Sequence, residues 1–195
     1  MYTATKRGGD EDELKQISIQ AEQQNAVVSV IARSTGSGSA ALDVYVPRNT
    51  SLHVSSDDGS LNVEGVSGQI TLRTGDGSIE VTDTHGQLQV NTGDGSIRVE
   101  KFDGQLDART GDGSIALGGK FAGLSARTGD GSITLAVPSG SNFTIETNAE
   151  GISNEGLDVS EDIAPSQRVK RWRVGKGGNL FVLTTGDGKV VLRAY

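Results

Sequence analysis

Apolar and polar residues alternate along most of this chain, and the alternation returns at a fixed interval. The pairs Ile70/Leu72, Ile79/Val81, Leu88/Val90 and Ile97/Val99 each enclose a single polar residue. That is the period of a strand with one buried face. Turn residues stand between the pairs, and Gly59, Gly77, Gly95, Gly113 and Gly131 fall 18 residues apart. Asp58-Gly59-Ser60 is followed by Thr-Gly-Asp-Gly-Ser-Ile at 74–79, 92–97, 110–115 and 128–133. Each 18-residue unit therefore holds two short strands and two turns.

So short and strict a period predicts stacked coils. A lone hairpin of this length is marginal in water. Stacking lets each strand pair with its copy about 4.8 Å above and below. The expected fold is all-β: a single β-solenoid of the β-helix or β-roll kind, parallel between coils. Crossover chirality favours a right-handed coil. An antiparallel sandwich would also alternate, but it would not require a fixed period. Gly-Asp-Gly is expected to supply positive φ at one corner. A second glycine column, Gly68, Gly86, Gly104 and Gly123, marks the other corner.

The ends are less regular. Residues 1–13 read as a flexible, charged lead. From 14 to 50 the alternation of Ile17/Ile19, Val28/Val30/Ala32 and Leu42/Val44/Val46 reads as early, irregular coils. Such atypical coils protect an open strand edge. Regular coils are expected over 52–137. The stretch 138–176 is irregular and acidic at Glu150, Glu155, Asp158, Glu161 and Asp162. Residues 177–195 restore the motif as Thr185-Gly186-Asp187-Gly188. From Gly131 to Gly188 is 57 residues, about three expanded coils, so 14–195 is expected to be one solenoid domain.

Composition narrows the function. Aromatics are 4 %, which suits a thin coil with little room for rings. There is no cysteine, hence no disulfide framework and no thiolate chemistry. A net charge of −7 argues against general nucleic-acid affinity. No apolar run reaches 18 residues and no signal peptide is visible, so a leader or anchor is expected only in a longer protein.

The repeated turns, together with Leu42-Asp43-Val44-Tyr45-Val46-Pro47, Leu52-His53-Val54 and Gly177-Gly178-Asn179-Leu180, resemble a bacterial family of adhesin-type domains of unknown function. The resemblance covers about residues 14–195. It implies a β-solenoid, often exported or membrane-anchored, and carries over no catalytic residue.

Four groups of residues are candidate sites. Asp58, Asp76, Asp94, Asp112 and Asp130, echoed by Asp187, form a column whose like charges repel by about 1 kcal/mol per neighbour in water. Calcium would offset this, since carboxylates and turn carbonyls are hard oxygen ligands. The calcium nonapeptide Gly-Gly-x-Gly-x-Asp is not matched, however. Arg73, Arg109 and Arg127, three residues upstream, could pair with their aspartates, and aspartate also bonds its own turn. The turn role is favoured, and no cofactor is assigned. The threonines 74, 92, 110 and 128 read as a hydroxyl ladder along the stack rather than an ice-binding face. Arg168, Lys170, Arg171, Trp172 and Arg173 form a basic stretch that could grip an anionic ligand or simply be solvated. The two histidines, His53 and His85, carry no nucleophile motif beside them.

The expected function is a non-enzymatic surface scaffold or adhesin-type domain, extracytoplasmic or membrane-associated, that binds by multivalent weak contact. Its partner is undetermined, with a glycan or a cell-surface protein as candidates. The alternatives are a polysaccharide-active β-helix enzyme with its site within 138–176, and a calcium-stabilised rod.

Overall fold

The computed structural model describes residues 1–149, 151–166 and 169–195, of which 161–166 as backbone. The chain forms two compact units, Met1–Pro47 and Arg48–Tyr195.

The first unit is not built from coils. Strands β1 (Tyr2–Arg7) and β4 (Ser39–Val44) pair antiparallel, as do β2 (Ile17–Gln24) and β3 (Val27–Ser34). The reason is the turn. Gln24 sits opposite Val27, so only Asn25 and Ala26 join the strands, and Asn25 takes φ +56°. A two-residue connection of this kind allows only a hairpin. The expected lead at 1–13 contains β1 and the start of a short helix, α1 (Glu11–Lys15). Asp10 caps that helix, its carboxylate accepting from Asp12 N and Glu13 N at 3.0 and 2.9 Å.

The second unit is the β-solenoid. Its strands are β5 (Leu52–Ser55), β6 (Leu61–Glu64), β7 (Ser67–Arg73), β8 (Ile79–Thr82), β9 (His85–Asn91), β10 (Ile97–Arg109), β11 (Ile115–Arg127) and β12 (Ile133–Val137). They are followed by β13 (Phe143–Thr147), β14 (Ile152–Glu155), β15 (Val159–Ser166), β16 (Val169–Val174), β17 (Leu180–Thr184) and β18 (Val190–Ala194). One column stacks Leu52, Ile70, Leu88, Leu106 and Leu124 in parallel register. The other stacks Leu61, Ile79, Ile97, Ile115 and Ile133. Strands β10 and β11 are long enough to round the second corner and contribute to both columns. Inward side chains such as Leu72, Val81, Val90, Val99 and Ala108 are fully buried. All four phenylalanines form one chain of ring contacts: Phe102, Phe121, Phe181 and Phe143 have successive ring centroids 5.9, 6.3 and 4.6 Å apart. A thin coil thus admits rings where they pack against one another, tilted, edge-on and stacked in turn.

The glycines of Gly-Asp-Gly do not have positive φ. They are glycines because the coils are close. A β-carbon on Gly77, Gly95, Gly113 or Gly131 would land on the carbonyl of the matching glycine in the coil before it. Positive φ belongs to the second corner, at Gly68, Gly86 and Gly104 and also at Asp83 and Lys101.

The closing coil is not three coils beyond Gly131. Strands β17 and β18 lie directly on the fifth regular coil, with Phe181 beside Leu124 and Val190 beside Ile133. The chain leaves β12 and places β13 and β14 one rung further out. It then turns back through the antiparallel pair β15 and β16 and returns to fill the gap. The physical reason is sequence match. Residues 180–194 copy the regular coil, including its Thr-Gly-Asp-Gly corner. The span from Ile145 to Ile152 is two residues shorter than that from Phe181 to Val190 and lacks the motif.

Candidate functional site

The threonine column faces inward. The hydroxyls of Thr74, Thr92, Thr110, Thr128 and Thr185 donate to the carbonyls of Gly59, Gly77, Gly95, Gly113 and Gly131 at 2.9, 2.9, 2.8, 2.7 and 2.8 Å. These side chains are at most 8 % exposed. The ladder therefore runs from hydroxyl to backbone of the preceding coil, and the threonines offer nothing to solvent.

The aspartates 58, 76, 94, 112, 130 and 187 are exposed. Among the described residues none of these carboxylates has a hydrogen-bond or ion-pair partner. Arg109 pairs instead with Asp107, at 2.9 Å across its own strand, while Arg73 and Arg127 extend into solvent. A side chain at the end of a strand reaches its outward neighbour two residues away more easily than a residue past the corner. Among the described residues no three His, Cys, Asp or Glu side chains converge as a metal site.

The basic stretch is split by strand geometry. Arg168 lies outside the described residues, as does Glu150 of the acidic loop. In β16, Lys170 and Trp172 sit opposite the inward residues Thr147 and Ile145. Arg171 and Arg173 sit opposite the outward residues Glu146 and Thr144. Both Arg171 Nε, at 3.1 Å, and Nη2 donate to Glu146 Oε1. The indole Nε1 of Trp172 is enclosed and has no hydrogen-bond partner among the described residues. Alternation thus puts Lys170 on the face opposite to Arg171 and Arg173, and no single patch collects all three.

A shallow cleft lies where the loops around Ser141, Leu157 and Lys176 meet, with Asp158 and Lys176 as its charged groups. Glu146 and Glu155 are ion-paired with Arg171 and Arg193, the latter pair at 3.2 Å.

Two arrangements go beyond the sequence reading, which singled out only Arg73, Arg109 and Arg127 of the first. The first is the outward face of β5, β7, β9, β10 and β11. It carries three in-register rows: Gln69, Gln87 and Gln105; His53, Thr71, Gln89, Asp107 and Ser125; and Arg73, Asn91, Arg109 and Arg127. Gln69 Nε2 donates to Gln87 Oε1 at 3.1 Å, which locks two rungs of the first row. The opposite face is less uniform: the row of Asn62, Glu80 and Arg98 passes to Ala116 and then to Thr134. The second arrangement is a row of Ser67, His85 and Asp103 on consecutive rungs. No hydrogen bond joins the three among the described residues, and His85 Nδ1 is enclosed without a partner. The bonds that activate a serine are therefore not in place. Both arrangements were available as residues 18 positions apart.

Among the described residues no helix is long and apolar enough to cross a membrane. No curated protein and no solved structure matches the chain. A family model described as Toastrack DUF4097 matches residues 17–155, more than half of the chain, and the chain belongs to this Toastrack family.

Proposed function

We propose that this protein is a non-enzymatic scaffold whose polar sheet face binds a repetitive partner through many weak contacts. The observation that carries this reading is the set of three polar rows on β5 through β11, repeated at about 4.8 Å per rung, the glutamine and arginine rows exposed and the row between them partly so. Amide, hydroxyl and guanidinium groups at fixed spacing suit a glycan or the polar surface of another protein. A single rung offers too few groups for tight binding. Several rungs engaged together raise avidity by about 10²–10⁴ over one contact. On this reading the domain works at a membrane or outside the cytoplasm, supported by its likeness to adhesin-type domains.

A glycan array probed with the whole chain tests the idea, followed by titration of each hit in monovalent and polyvalent form. Gln87→Lys combined with Gln105→Lys should abolish polyvalent binding and leave the fold intact, because both side chains are exposed. Equal affinity for the monovalent and polyvalent forms would rule out the multivalent mechanism. The calcium reading is tested separately. A rod stabilised by calcium would melt earlier with chelator, and the scaffold reading expects no change.

A further inference from the structure

The fifth regular coil has two candidate neighbours, and the chain carries both. Strands β17 and β18 lie on it, and β13 and β14 lie on them in turn. The three rungs share one register. Ile145 stands beside Phe181 and Phe181 beside Leu124, while Ile152 stands beside Val190 and Val190 beside Ile133. With the closing coil withdrawn, the outer rung therefore meets the fifth coil by a straight move of one rung, about 4.8 Å. No side chain changes face, because the register is kept.

The connections allow that move. Ten residues separate Leu135 from Ile145, against seven between Leu117 and Leu124 at the same corner of the coil before. The extra residues carry the chain past the closing coil, and they become slack when the outer rung moves in. The Asn148 side chain bonds Thr185 N and O. Thr128, in line with Thr185 one coil earlier, has the same two backbone groups to offer. The closing coil itself hangs on Gly175-Lys176-Gly177-Gly178, whose three glycines all have positive φ. Side chains decide which occupant wins. Leu183 and Leu192 are fully buried, where the outer rung has only Thr147 and Asn154 to offer.

We propose that the closing coil, residues 180–195, is a releasable strap, and that β13 and β14 take its place on the fifth coil when it leaves. The antiparallel pair β15 and β16 moves with β13 as one body. The stack stays capped throughout, while Phe181, Leu183, Val190 and Leu192 are uncovered. Plain fraying does the reverse, since it removes the outer rung before the closing coil beneath it.

The chain has no cysteine, so disulfide trapping in the full chain reads the exchange without background. Thr134→Cys with Val191→Cys joins neighbouring strands and should close at once. Thr134→Cys with Ser153→Cys spans two rungs, about 9.6 Å, and comes within disulfide reach only after the exchange. It should close slowly but completely in native buffer. Leu183→Ala should speed that closure about a hundredfold, because the buried leucine is lost from the strapped state alone. Glu80→Cys with Ala116→Cys spans two rungs of the regular coils, where no strand can leave, and should stay reduced. In the closed Thr134–Ser153 form, amides of 181–184 and 190–194 should exchange rapidly while those of 115–127 stay protected. Closure no faster than in the Glu80–Ala116 pair, with or without Leu183→Ala, would overturn the proposal. A closed form whose 181–184 and 190–194 amides remain protected would overturn it as well.

Discussion

A methyl group added at Gly95 has no place to go, since its β-carbon would meet the carbonyl of Gly77. Gly95→Ala should cost about 3 kcal/mol in urea unfolding, because backbone and not a flexible side chain must move. Gly65→Ala is the matched control. Nothing lies within 4 Å of its β-carbon, but φ is +70°, so the loss should be about 1–2 kcal/mol. The glycine column was legible in the sequence, yet its cause was misread. Gly-Asp-Gly looks like a turn that needs positive φ, whereas the requirement is room for the neighbouring coil, which no single unit displays. Thr110→Val should cost about 1–3 kcal/mol, leaving the buried Gly95 carbonyl without its hydroxyl donor. In the first unit, the Ser37 hydroxyl and then the Gly9 amide hold the Glu13 carboxyl below the usual carboxylate range. A lowered folded pKa contributes stability above the unfolded value, and that contribution is lost as pH falls through the folded one. Ser37→Ala should move the Glu13 titration, followed by NMR, upward toward an ordinary carboxylate.

At the scale of elements, the regular strands were readable because each has a buried face and an identical copy 18 residues away. The path of the C-terminal strands was not. Residues 185–188 announce a regular corner, but a spacing of 57 residues does not say which coil receives it. Asn148 shows how the outer rung compensates for its shorter corner. Its side-chain amide donates to Thr185 O at 2.5 Å, and its oxygen accepts from Thr185 N at 3.0 Å, in place of a strand. Asn148→Ala should therefore cost about 1–3 kcal/mol and raise hydrogen exchange first at 185–188. The basic stretch was visible as composition only. Its division between two faces depends on the pairing of β16 with β13, which no local pattern encodes.

At the scale of the whole molecule, a stack in which each coil touches only its neighbours should be most stable in its middle and least at its ends. Amides of 88–127 are expected to exchange slowest within the solenoid unit. The central claim is that coils of one kind lie on one another in register, including a closing coil that passes over 42 intervening residues, 138–179, to reach its place. Methyl-labelled NMR reads this directly at Val190. Its methyl groups should show NOEs both to Ile133 on one side and to Ile152 on the other, with Leu192 touching Leu135. A spectrum in which Val190 contacts Ile152 but nothing in 133–137 would contradict the account.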